Sequence, residues 1–208
     1  MGYHLAGFDV MGVDIASRRD YPFEYVQGDA VEFIKAHGHE FDVIAASPPC
    51  HHASRLRHYN DTPETRATYE SKYPNLIPPT RAALVASGKP YVIENVPGAA
   101  LVSPIVLCGH ALGLKLYRHR LFESSVTLTG IPEPKPYHPY LCARNSYLPT
   151  ASRPYMSIHG GKHSKAWQRK AAEYMGTPWI TSIVGVCQAI PPAYTKYIGQ
   201  QLIETLDR

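Results

Sequence analysis

The sequence predicts an α/β protein built on a mixed, mostly parallel sheet flanked by helices, and three observations carry that reading. Short apolar runs alternate with segments of helical composition along the first half of the chain, a pattern that parallel, helix-covered sheets produce. Proline stands at a helix start and glycine at its stop, as at Pro78-Pro79 and Gly88. The 208 residues, 44% of them hydrophobic, suffice for one well-cored domain with a small appendage, and no second full domain fits.

Taken in order, residues 8–15 (Phe-Asp-Val-Met-Gly-Val-Asp-Ile) read as a strand, 24–27 as a second and 30–37 as a helix. Residues 41–46 read as a third strand, which must turn sharply at Pro48-Pro49 because proline fixes φ and cannot donate to a ladder. A helix over 78–87 leads into a strand over 90–95. Alternation over 116–128 predicts one or two antiparallel strands. Prolines at 132, 134, 136, 139, 149 and 154 argue against regular structure over 129–154, and 166–174 and 192–206 read as helices.

Composition narrows the class. The longest apolar runs are far short of a membrane span and the first residues carry no basic, apolar leader, so a soluble, cytoplasmic protein is expected. Four cysteines without any Cys-X-X-Cys pair argue against a zinc ribbon or a disulfide framework and for reduced thiols. The histidine-rich stretches His37-Gly38-His39, His51-His52 and His58 lack a thiol or carboxylate set at ligand spacing, so no metal is expected. The net charge is only +4, but it is concentrated. Arg144, Arg153, Lys162, Lys165, Arg169 and Lys170 fall in a stretch without Asp or Glu, interleaved with Tyr147, Tyr155, His159, His163 and Trp167. Such a run is either a solvated face or a phosphate-binding surface with planar rings.

Three constellations carry the chemistry: Ser47-Pro48-Pro49-Cys50, Glu94-Asn95-Val96, and Arg118-His119-Arg120. The strand before the prolines places Cys50 at a strand's carboxyl end, where open α/β sheets bind their ligands. Alternation would put Arg118 and Arg120 on one strand face. In residue type and order the three motifs resemble those of the DNA (cytosine-5) methyltransferases, above all the small enzymes of this type carried by bacteriophages. The resemblance covers nearly the whole chain and is strongest over residues 47–123.

The resemblance implies a Rossmann-like, S-adenosylmethionine-dependent methyltransferase fold with a mixed, mostly parallel sheet and a small target-recognition appendage. It implies double-stranded DNA as substrate and S-adenosylmethionine as methyl donor. Cytosine C5 becomes nucleophilic only after addition at C6, and a thiolate adds and leaves well, which is the role implied for Cys50. Glu94 would engage N3 and the exocyclic amine, while Arg118 and Arg120 would hold O2 and the loop. The base must be turned out of the duplex for this to happen.

On the cofactor side the resemblance assigns Asp14 and Ile15 to the ribose, Asp29 and Ala30 to the adenine, and Pro48, Gln188 and Ala189 to the surrounding wall. Cys187-Gln188 replaces the family's usual Gly-Asn, and His51 stands where Gln is usual. The family's first glycine-rich loop has no counterpart, since residues 1–7 read as the helix that would follow it, and weak binding of S-adenosylmethionine is expected in consequence. Ser54, Arg57 and the basic residues of the 144–170 stretch are expected to contact DNA. The division implied is 1–123 for catalysis and cofactor, 124–172 for DNA recognition, and 173–208 returning to the catalytic part. Two other readings stay open: a catalytically silent DNA-binding relative, and an enzyme of the same fold transferring another one-carbon or carboxymethyl group to C5.

Overall fold

A computed structural model describes residues 1–18, 21–53, 62, 68, 70–133, 148–152 and 154–206. The chain opens with helix α1 (Gly2–Ala6), as expected for residues 1–7, and stops at Gly7, whose φ of 112° is left-handed. Strand β1 (Met11–Asp14) is shorter than the 8–15 expected, because Phe8 turns back onto α1: its N–H donates to the Tyr3 carbonyl and its ring packs edge-on against Tyr3. Strand β2 (Glu24–Gln27) pairs in parallel with β1. Helix α2 (Ala30–His37) and strand β3 (Ile44–Ala46) follow. Helix α3 (Ile77–Ala86) has its prolines in the first turn, where an N–H would go unpaired anyway. It delivers the chain to β4 (Tyr91–Asn95).

Strands β5 (Ile105–Leu107), β6 (Leu116–Tyr117), β7 (Arg120–Ser124) and β8 (Met156–Ser157) complete the strand set. The main sheet runs β3-β4-β7-β5, with β3–β4 parallel and both pairings of β7 antiparallel. The antiparallel strand expected over 116–128 is thus β7, but β6 is not its partner and pairs in parallel with β8. Among the described residues β1–β2 and β6–β8 form separate two-stranded ladders, so the sheet is mixed and less continuous than expected. Three helices close the chain: α4 (Lys165–Met175), α5 (Ile183–Gln188) and α6 (Pro192–Leu206). Helix α4 runs across the expected boundary between residues 172 and 173.

Strand alternation on β4 divides the core. Ile93 packs with Ile34, Ala83 and Leu84 of α2 and α3, whereas Val92 packs with Phe122, Tyr194, Ile198 and Leu202, the last three from α6. Helices therefore cover both faces of the main sheet. A third cluster joins Leu116, Met156 and Ile158 to Trp167 and Met175 of α4 and Val186 of α5. Full burial of side chains this large contributes about 1.5–3 kcal/mol each. The α1–α6 contact depends on absent side chains: a Cβ on Gly2 would lie 1.9 Å from Thr195 Oγ1, and one on Gly199 would lie 2.7 Å from Ala6 Cβ.

Candidate active site

The register of the main sheet assembles the site. Parallel pairing sets Ala46 beside Ile93, so the chain leaving β3 runs along Glu94 and Asn95. Asn95, buried, donates from Nδ2 to the Pro48 carbonyl at 2.9 Å, while its Oδ1 accepts from the Val96 N–H. The Ser47 hydroxyl hydrogen-bonds the Glu94 carboxylate. The Pro-Pro-Cys turn is thereby fixed to the end of β4, with Cys50 half-buried, outside any disulfide, and closing a turn to the Ala53 N–H. Among the site-bearing residues, Ser47 and Asn95 were not singled out from the sequence. The Glu94-Asn95 pairing within one motif was the available signal.

Across the other edge of β4, antiparallel pairing sets Glu94 opposite Phe122, which makes Arg120 a diagonal neighbour on the same face. Arg120 Nε lies 3.0 Å from Glu94 Oε1 in a mostly buried ion pair. Burial raises the Glu94 carboxyl above its ordinary value, and Arg120, Arg118 and the Ser47 hydroxyl oppose that rise. A carboxyl held in this balance can share a proton or accept one, depending on what enters beside it.

Arg118 departs from the expected arrangement. It precedes β7 rather than sharing its face with Arg120, and its guanidinium donates to the carbonyls of Ile158 (2.7 Å), Cys187 (2.7 Å) and Ala189 (2.9 Å). It is 3% exposed, and burial followed by the positive Arg120 depresses it to about 9. Its contacts are those of a clamp joining the segment after β8 to the carboxyl end of α5. Glu123, at the end of the Arg-rich motif, lies on the opposite sheet face. There it takes both oxygens to Arg81 at 2.7 Å and accepts the Val102 N–H.

Of the residues expected at the cofactor, Asp14, Ile15, Asp29 and Ala30 stand together at the β1–β2 ladder. Asp14 ends β1 and its carbonyl accepts the Gly28 N–H, so Asp14 and Asp29 stand at the carboxyl ends of adjacent parallel strands. Both carboxylates have internal partners. Asp14 accepts from the Ala16 N–H and from Arg18 at 2.9 Å, and Asp29 caps α2 by accepting from the Val31 and Glu32 N–H groups. Ile15 is 74% exposed, Ala30 and Gln188 are exposed, Ala189 is half-buried and Pro48 is buried. Ala189 is tied through its carbonyl to Arg118, which links this wall to the Glu94–Arg120 pair.

Of the expected DNA contacts, Ser54, Arg57, Arg144 and Arg153 lie outside the described residues, as does Tyr147. Lys162, Lys165 and Arg169 are exposed, the last two one turn apart on α4. Lys170 instead pairs with Glu173 at 2.9 Å and lies over the Tyr174 ring. Of the interleaved rings within the described residues, Trp167 is 2% exposed, His163 stacks on it at 3.6 Å, and Tyr155 stacks on Tyr117. At helical spacing Trp167 faces the core with Ala171 and Met175.

Helices on both faces of a mixed sheet, with a carboxylate–arginine pair at the strand ends, make this a mixed α/β protein. No protein-family model and no curated protein matches the chain. Among solved structures, the chain is similar to a candidate DNA modification methyltransferase encoded within an E. coli prophage. That similarity has a TM-score of 0.56 at 16% identity, and covers 100% of this chain and 95% of the other. The two share a fold.

Proposed function

We propose that the protein methylates DNA, and more finely that it is a DNA (cytosine-5) methyltransferase using S-adenosylmethionine. The observation that carries the reading is the register of β3, β4 and β7, which brings the Pro-Pro-Cys turn, Glu94 and Arg120 to one end of one sheet. The shared fold with a candidate DNA modification methyltransferase supports it from a second side.

In this reading the Cys50 thiolate adds to C6 of a cytosine turned out of the duplex, moving an electron pair into the ring toward C5. Glu94 holds N3 and the exocyclic amine and shares its proton with N3 as charge builds there. Burial favours its protonated form. Arg120, braced by Glu94, offers its remaining N–H groups to O2. Arg118, with its guanidinium engaged by three carbonyls, acts as a positioning residue for Arg120 and for the Ala189 wall. S-adenosylmethionine, when bound, supplies the electrophilic methyl group. The C5 proton then leaves to a base, the electron pair returns, and the Cys50–C6 bond breaks.

The residues at the β1–β2 edge fit such a donor in type: Asp14 with Ile15 for the ribose and Asp29 with Ala30 beside the adenine. Arg18, 47% exposed, must leave the Asp14 carboxylate for that contact to form.

The test is covalent trapping on duplex DNA containing 5-fluorocytosine, with S-adenosylmethionine present. Fluorine cannot leave as the C5 proton does, so a stable protein–DNA adduct is expected, and Cys50→Ala should abolish it. An adduct that persists in Cys50→Ala, or that maps to Cys108, Cys142 or Cys187, overturns the assignment. The mass of the modified cytosine separates methyl transfer from transfer of another group.

A further inference from the structure

Cys108 and His119, both buried, and the partly buried Glu133 bring together donor types able to hold a metal ion, and the methylation chemistry does not use them. One donor atom from each lies within 4.8 Å of the others, and Cys108 and His119 are 1% and 4% exposed. The sheet places the first two: β5 and β7 are antiparallel with Leu107 opposite Arg120, so one further step sets Cys108 opposite His119. Glu133 then reaches in from the chain beyond β7, with its Oε1 2.5 Å from His119 Nε2. Their spacing in the sequence matches no metal-binding motif, and it is the strand pairing that unites them.

Two features favour an ion over a bare hydrogen-bonded trio. The Cys108 sulfur accepts from the backbone N–H groups of His110 and Arg118, which fix it beside His119 and Glu133. On losing its thiol proton as a cation enters, Cys108 brings −1 and Glu133 a second −1, which together match a divalent cation with His119 neutral. Sulfur, nitrogen and oxygen donors together suit zinc, with the fourth tetrahedral position left for water or another group.

We infer that Cys108, His119 and Glu133 bind one Zn²⁺ ion, which fastens the segment beyond β7 to the strand ends that carry Arg118 and Arg120. On binding, Cys108 gives up its thiol proton to solvent and the His119–Glu133 hydrogen bond is replaced by two metal–ligand bonds. The ion is structural, so the inference stands or falls independently of the cytosine reading.

The experiment uses the full chain purified without chelator, followed by Co²⁺ titration of the stripped protein. Stoichiometric zinc is expected, and Co²⁺ should give a sulfur-to-cobalt charge-transfer band that disappears in Cys108→Ala and His119→Ala. If Cys108→Ala does not fold, a chain with Cys50, Cys142 and Cys187 all changed to Ala carries the same test. There Cys108 is the sole thiol and the band must remain. Zinc-free protein with no thiolate band, a band that survives Cys108→Ala, or one lost in the chain that keeps only Cys108, each overturns the inference.

Discussion

At Glu94 burial and charge pull against each other. Burial favours its neutral form, while Arg120 at 3.0 Å and the nearby Arg118 favour its ionised form. Changing Glu94 to Gln keeps the shape and one hydrogen bond but removes the proton that N3 would share. Methyl transfer should fall by about 100-fold or more, the usual worth of a positioned proton donor. Rapid-quench measurement of product on a DNA duplex checks this, with the circular dichroism spectrum confirming the fold. An E94Q protein with unchanged turnover would leave Glu94 as a mere partner for Arg120. Arg120→Lys should lose a comparable share, because an ammonium cannot brace Glu94 and face O2 with the same fork.

At the scale of elements, the tie between α3 and the sheet is the Arg81–Glu123 pair. The Glu123 carboxyl is desolvated, which alone would raise it, but hydrogen bonds from Arg81 and Val102 and the Arg81 charge outweigh this and hold it below its ordinary 4.5. Its contribution is therefore present above 4.5 and lost as pH falls through the lower folded value. Glu123→Gln should cost about 1.5–3 kcal/mol at neutral pH, since it replaces a charged hydrogen-bond partner of a half-buried guanidinium by a neutral one. The cost should shrink in acid. Urea midpoints of both proteins at neutral and acidic pH decide it, and a pH-independent difference would show that the charge does not matter.

The same elements show what could be read in advance. The α/β alternation, helices α2, α3, α4 and α6, and the Cys50, Glu94 and Arg120 cluster were legible because caps, prolines and strand patterns are local signals. Helix α5 was not legible: six residues with two valines and an isoleucine carry no helical signature, and Ser182 caps it only once Gly185 is in place. Strand β5 is shorter still at three residues, and its partner β7 lies beyond β6 in the chain. The placement of Arg118 was misread for a related reason. Alternation describes a continuous strand, but β6 ends at Tyr117 and β7 starts at Arg120, so Arg118 sits in the break and turns toward α5.

For the whole molecule, a net charge of +4 is too small to hold DNA unless it is gathered on one surface. In the proposed reading Lys162, Lys165 and Arg169 form part of such a surface: they are exposed beside or along α4 while Trp167 and Met175 anchor that helix in the core. Lys170 is excluded from this set by its ion pair with Glu173. Contacts to phosphate release counterions and read no bases, so replacing Lys162, Lys165 and Arg169 together by Ala should weaken binding to every duplex alike. The slope of log affinity against log salt should flatten by about 0.9 for each phosphate contact removed. Lys170→Ala should leave the slope nearly unchanged, although it removes the same charge from the same helix. Fluorescence anisotropy over a salt series, on two unrelated duplexes, measures both variants. Equal slopes for the triple variant and the unmutated protein would make this face of α4 a solvated one and move the DNA surface elsewhere.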